Sequence, residues 1–144
     1  MLTIVERRGI DTDALRYLFL KERRNTFTWL DTSSFRLSDF EEETEEEYIL
    51  VALEENIVIG FISIWVEDNF IHHLYIDEKH QNKGVGSKLL KAVVDKFGLP
   101  VRLKCLLNNV NAVEFYRKKG FEEKGKGATE NGTYILLELP KSIV

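Results

Sequence analysis

Apolar and polar positions follow two rhythms along this chain, a period of two and a period near three and a half, and the changes between them mark the elements. Leu2 to Glu6 alternates and predicts a short first strand. Leu15, Leu18 and Phe19 then fall at helical spacing behind a cap at Asp11 or Thr12, and the period fails at Thr26-Phe27-Thr28-Trp29, so this helix should fade near Asn25. Ser38 followed by Glu41 has the spacing of a capping box, which predicts a second helix starting near Asp39. Tyr48 to Leu53 and Ile57 to Val66 are rich in β-branched and aromatic residues and flank Glu54-Glu55-Asn56, the pattern of a β-hairpin. A turn at Glu67-Asp68-Asn69 leads to another strand, Phe70 to Ile76, so the sheet should open as an antiparallel meander.

The pattern changes after Ile76. Asp77 to Lys83 is polar, Gly84-Val85-Gly86 follows, and Leu89, Leu90, Val93, Val94 and Phe97 mark one buried face of a helix that Gly98 and Pro100 end. Val101 to Leu107 predicts a strand and Asn109 to Lys119 a helix stopped by Gly120. Phe121 to Lys124 and Thr133 to Leu139 predict a closing strand pair around Glu130-Asn131-Gly132. The class is mixed α/β, an antiparallel half joined to a strand-helix-strand-helix half.

Size and charge narrow the function classes. At 144 residues and 44% hydrophobic, the chain should form a single domain with a full core over residues 1–144. No apolar run approaches the roughly 20 residues of a membrane span, and Met1 to Arg8 lacks a signal-peptide pattern. The lone Cys105 excludes an internal disulfide and fits a reducing, cytoplasmic compartment. A formal charge of -4 argues against a general nucleic-acid binder. The expectation is a cytoplasmic protein without nucleic-acid or membrane partners. With three histidines and no matching carboxylate spacing, no metal site is expected either.

The stretch that carries chemistry is Leu74 to Leu90, a strand, a polar loop and glycines opening a helix. The first N–H groups of a helix lack partners and favour an anion, and Lys83 and Lys88 add positive charge beside them. A pyrophosphate suits such a site. The spacing is not that of a nucleoside-triphosphate loop, and Leu89 stands where a dinucleotide fingerprint needs its third glycine.

Gln81-Asn82-Lys83-Gly84-Val85-Gly86 matches the acetyl-CoA signature [Q/R]-x-x-G-x-[G/A], and Asn109 to Phe121 matches N-x-x-A-x-x-F-Y-x-K-x-G-F. On these two motifs, in this order, the chain resembles the GCN5-related N-acetyltransferases, the GNAT family. The resemblance covers about Tyr48 to Leu139. It implies a mostly antiparallel sheet with a central splayed parallel strand pair, flanked by helices. It also implies acetyl-CoA as cosubstrate and an unidentified amine as acceptor.

The residue roles implied by the resemblance are specific. The backbone of Gln81, Asn82, Lys83, Gly84, Val85, Gly86, Ser87 and Lys88 would hold the CoA pyrophosphate. The strand Leu74-Tyr75-Ile76 would splay from Val101 to Leu107, pair with the pantetheine arm and polarise the thioester carbonyl through an N–H near Leu74 or Tyr75. Asn109, with Asn111 as alternative, would hydrogen-bond that arm, and Phe115 belongs to the same wall. Tyr116 would protonate the departing thiolate; helical spacing alone favours a packing residue, and the matched motif turns the reading to the functional role. The amine must also lose a proton. His72 and His73 are candidate bases, sent to opposite faces by strand alternation, and a buried, hydrogen-bonded histidine is the competing reading. Relatives with a glutamate in the next strand differ from this chain, which has Lys104 there. The acidic run Glu41 to Glu47 reads as a solvated helix face or as an attractor for a cationic amine; Phe27 and Trp29 read as core or as an acceptor wall. The chain should be a monomer or a homodimer, since exposed sheet edges can pair.

Overall fold

The structure, a computed structural model, describes residues 1–140. The last four residues of the expected single domain lie outside them. The elements run β1 (Leu2–Glu6), α1 (Thr12–Thr26), α2 (Asp39–Glu43), β2 (Tyr48–Glu54), β3 (Ile57–Trp65), β4 (Phe70–Ile76), α3 (Val85–Phe97), β5 (Val101–Leu106), α4 (Val110–Lys118), β6 (Glu122–Thr129) and β7 (Gly132–Leu139). The seven strands form one sheet in the order β1-β2-β3-β4-β5-β7-β6. Every neighbouring pair is antiparallel except β4 and β5, which are parallel.

Alternation in β2 sends Leu50 and Ala52 to one face of the sheet and Ile49, Val51 and Leu53 to the other, and both faces are buried. On the first face α3 and α4 press Leu89, Leu90, Val93 and Val113 against Ile62, Ile64 and Leu103. On the second, α1 and α2 press Leu15, Phe19 and Phe40 against Phe61. Phe19, Phe40 and Phe61 meet edge-to-face at 5.5–6.0 Å and are fully buried, each worth roughly 2–3 kcal/mol in apolar transfer alone. Among the described residues, no helix is long and apolar enough to cross a membrane.

Three sequence expectations need correction. Ser38 precedes α2 as expected but makes no side-chain cap; the Asp39 carboxylate instead reaches back to the Arg36 N–H at 2.9 Å. The closing hairpin is longer than Phe121–Lys124 suggested, because β6 runs through Gly125 and Gly127, residues that read as turn formers. A register shift between Glu123 and Gly125 accommodates this, and the Tyr134 ring lies across Gly127 where a side chain would stand. Finally, His72 and His73 do not face opposite ways. Ser63 pairs with His73 and Ile64 with Ile71, so His72 is the extra residue of a β-bulge. The bulge brings the two imidazoles to 4.0 Å between centroids.

Half of the acidic run is engaged by the fold: Glu41, Glu43 and Glu47 have partners, while Glu42, Glu45 and Glu46 are exposed. Arg23, 6% exposed, lies between the Phe19 and Phe35 rings at 4.1 and 4.2 Å and pairs with Asp39 at 2.9 Å and Glu43 at 3.2 Å. Arg16 pairs with Glu41 at 3.1 Å. These contacts staple α2 to α1.

Candidate active site

The parallel ladder between β4 and β5 is short. It joins only Phe70 to Arg102 and Ile71 to Leu103, after which the strands part. From Leu74 to Ile76 strand β4 remains paired to β3 on one edge, while its other edge opens into a cleft of about 920 Å³. The cleft lies between this edge, the loop into α3 and the face of α4, and α1 with its following loop closes one end.

The loop into α3 shows why the sequence needs its glycines. Asn82 has φ 63° and Gly84 has φ 81°, so the chain turns through the left-handed region just before the helix. Gly84 is the N-cap and has no side chain to satisfy the helix, and the first helical bond is Lys88 N–H to the Gly84 carbonyl at 3.1 Å. The N–H groups of Val85, Gly86 and Ser87 are therefore left for a ligand at the positive end of the helix. Gly86 sits close under the Phe115 ring, 3.4 Å from where its Cβ would be. Gln81 fixes the loop from below: its Nε2 donates to the Ile76 carbonyl at 2.9 Å and to Glu22 at 3.4 Å.

Tyr116 belongs to the core and to the cleft wall at once. It is 7% exposed, packs edge-to-face on Phe115 and Phe121 at 5.2 Å, and lines the cleft. Burial raises its phenol well above the usual range, so it stays protonated. Asn109 is the N-cap of α4 but makes no side-chain cap, and Asn109, Asn111 and Phe115 all line the cleft. Burial pushes the Cys105 thiol up to about 11, which makes it a poor nucleophile.

Of the residues singled out from sequence, Leu74, Tyr75, Ile76, Gln81, Asn82, Gly84, Val85, Gly86, Ser87, Asn109, Asn111, Phe115 and Tyr116 line this one cleft. Lys83 and Lys88 are exposed and stand outside its walls; the lysines that do line it are Lys118 and Lys119. Neither His72 nor His73 reaches it. His72 bonds through Nδ1 to Glu47 at 2.6 Å, and this carboxylate is the first cause of its raised pKa. His73 is buried edge-on against Phe19 at 4.9 Å, and desolvation lowers it to about 3. His80, which sequence reasoning passed over, is the histidine in the cleft wall, bonded through Nδ1 to Asp77 at 3.0 Å. Lys104 points elsewhere, over the Tyr134 ring.

Sequence reasoning also missed Glu22. It lies on the buried face of α1, 1% exposed, yet lines the cleft. Its carboxylate accepts the Glu78 N–H at 3.2 Å and faces Lys21 at 3.6 Å, while desolvation raises its pKa. Nearby, Asn25, Thr26, Thr28 and Trp29 form the same end of the cleft, with Phe27 edge-on behind Trp29 at 5.4 Å. Trp29 Nε1 donates to the Asn131 carbonyl at 3.2 Å. That bond ties the segment after α1 to the β6–β7 turn.

A seven-stranded sheet splayed at one parallel pair, with a helix N-terminus facing the gap, is the arrangement the two motifs implied. The profile of the acetyltransferase (GNAT) family matches residues 12–121, and the chain belongs to that family. It is 25% identical over 130 residues to the spermine/spermidine N(1)-acetyltransferase of Bacillus subtilis (strain 168), covering 81% of this chain and 86% of that protein. Its fold is similar to PaiA N-acetyltransferase from Thermoplasma acidophilum, solved in complex with coenzyme A. The TM-score is 0.81 at 20% identity, over 98% of this chain and 99% of that one. The ribosomal-protein-S18-alanine N-acetyltransferase of Escherichia coli has a similar fold as well, with a TM-score of 0.74 at 20% identity over 100% of this chain and 96% of that one. The chain is thus an acyltransferase of a family that uses acetyl-CoA.

Proposed function

We propose that the chain transfers the acetyl group of acetyl-CoA to a primary amine of a small molecule, by direct attack within a ternary complex. The observation that carries this reading is convergence on one cleft of an unpaired β4 edge, the free N–H groups at the start of α3, and Tyr116. The N–H groups from Gln81 to Ser87 hold the pyrophosphate, with the exposed Lys83 and Lys88 adding long-range attraction. Main chain at Leu74 to Ile76 pairs with the pantetheine arm, Asn109 or Asn111 bonds it, and Phe115 packs beside it.

The neutral amine nitrogen attacks the thioester carbon, whose oxygen is held by an N–H near Leu74 or Tyr75. The tetrahedral adduct then expels CoA as its C–S bond breaks, and the Tyr116 hydroxyl gives its proton to the sulfur and regains one from water before the next turnover. The proton lost from the amine passes to water or to the Glu22 carboxylate, whose raised pKa brings it closer to that task. No covalent acyl-enzyme is needed.

The acceptor end favours a small cationic amine over a peptide. Glu22 supplies a buried carboxylate at that end, and the bond from Trp29 to Asn131 holds the wall residue Trp29 in place, an arrangement that suits a compact acceptor. The activity named for the Bacillus relative supports the same class of acceptor. A cytoplasmic location and one domain over residues 1–144 belong to this reading, supported by the lone Cys105. Release of free CoA thiol from acetyl-CoA, followed with spermidine, diamines, amino acids and short peptides, tests it. Turnover with small amines and not with peptides is expected. Turnover with peptides alone would overturn the small-molecule assignment, and none with any amine would leave a non-catalytic CoA-binding module.

A further inference from the structure

We infer that Glu47, His72 and His73 form a binding site for a divalent transition metal, zinc by the chemistry of the donors. One ligand atom from each residue lies within 4.8 Å of the other two. The β-bulge makes this possible, because regular alternation would put consecutive histidines on opposite faces of β4.

Each of the two less exposed residues of the cluster carries one atom without another partner. Glu47 Oε1 and His73 Nε2 are both buried and make no hydrogen bond. The His73 residue is 9% exposed and the Glu47 side chain 6%. An acceptor left unpaired at such a place is costly, and a metal ion bound there would satisfy both residues together. The imidazole of His73 is held neutral by burial, the form that ligates. The nearby Arg23 charge is balanced by Asp39 and Glu43.

Two imidazoles and one carboxylate make a zinc site with a free fourth position. Bonds of about 2.0–2.2 Å set tetrahedral donors roughly 3.4 Å apart, so the cluster must contract by at most about 1.5 Å. His72 supplies that movement. Its side chain is 45% exposed, which also opens the fourth position to water and gives the ion an entry path. Binding replaces the His72–Glu47 hydrogen bond with two metal bonds and releases any proton shared there. The ion joins the segment before β2 to the bulge of β4. It sits behind the cleft wall, since the His73 ring lies 6.1 Å from that of Tyr75.

The test uses untagged protein dialysed against chelator and then titrated with Zn²⁺ by calorimetry and with Co²⁺ by visible absorption. One equivalent should bind, tetrahedral Co²⁺ bands should appear, and Zn²⁺ should raise the unfolding temperature. Loss of even an outer-shell partner costs about 10–100-fold in affinity, so His72→Asn and Glu47→Gln should each weaken binding at least ~10-fold. His80→Asn should leave it unchanged. Unfolding temperatures in chelator show that each variant is folded. Absence of heat, bands and thermal shift in the parent protein would reduce the cluster to a hydrogen-bonded ion pair. Binding that survives both ligand substitutions would place the metal elsewhere, and either outcome overturns the proposal.

Discussion

The carboxylate of Glu22 in α1 accepts the backbone N–H of Glu78 at 3.2 Å, joining the helix at the acceptor end of the cleft to the loop that leads into α3. One buried group thus touches both the region proposed for the amine and the support of the region proposed for the pyrophosphate.

Replacing Glu22 by Gln keeps its shape and removes its charge. A charge-assisted bond to an ammonium is worth about 1.5–3 kcal/mol, so KM for a cationic amine should rise roughly 10–100-fold. KM for acetyl-CoA should change little. Initial rates against both substrates check this; equal rises in both would assign Glu22 to the loop alone.

Tyr116→Phe retains the ring that packs on Phe115 and Phe121 and removes only the hydroxyl. Affinity for CoA should be kept while kcat falls by about 100-fold or more, the usual contribution of a positioned acid. Calorimetry with CoA and steady-state rates separate the two effects.

Gly60 is paired with Ile76 at the end of β4, and a Cβ there would stand 2.6 Å from Ile76 Cδ1 and 3.0 Å from the Tyr75 carbonyl oxygen. Gly60→Ala must therefore displace the Ile76 side chain and press on the Tyr75 main chain, in the segment whose free edge faces the cleft. Overpacking of this kind costs about 1–3 kcal/mol, and acetyl-CoA affinity should fall with it. Chemical denaturation and calorimetry measure the two quantities.

His73 is depressed from an ordinary 6.5 to about 3 by burial. The unfolded chain takes up this proton first, so the stability that depends on neutral His73 is complete above pH 6.5. It is lost as pH falls toward 3, with a slope of about 1.4 kcal/mol per unit. Glu22 and Glu43, whose carboxyls are raised by burial, act in the opposite direction. The difference between the parent protein and His73→Phe reads the histidine together with its coupling to His72, whose raised imidazole acts in the opposite direction. With chelator present, denaturation midpoints between pH 6.5 and pH 4 should fall more steeply in the parent.

Most elements were readable because their signals are local. The period of Leu89, Leu90, Val93 and Phe97, the turn residues at Glu55-Asn56, and the glycine after α4 each act within a few residues, and the observed bounds follow them closely. The cleft was readable as far as it is built from two contiguous motifs. What escaped depends on partners distant in sequence. Nothing local distinguishes Glu22 from a surface glutamate, since its partners lie 56 and 59 residues away. The bulge at His72 comes from pairing with β3, and it replaced the alternation that had made either histidine a candidate base. The bond of Trp29 to Asn131 spans 102 residues. Lys83, in the loop before α3, and Lys88, in its first turn, carry the right charge for a phosphate, yet both are exposed and neither is among the residues that line the cleft.

Thermal unfolding with saturating acetyl-CoA, CoA or NAD reads ligand occupancy of the cleft. A ligand specific to the folded cleft should stabilise the protein by about 2.7 kcal/mol at a hundredfold excess over its dissociation constant. A rise in midpoint with acetyl-CoA and CoA but not NAD, abolished in a folded Gly86→Leu variant whose side chain would meet Phe115, is the predicted result. No rise with either CoA species, or a rise with NAD alone, would contradict it.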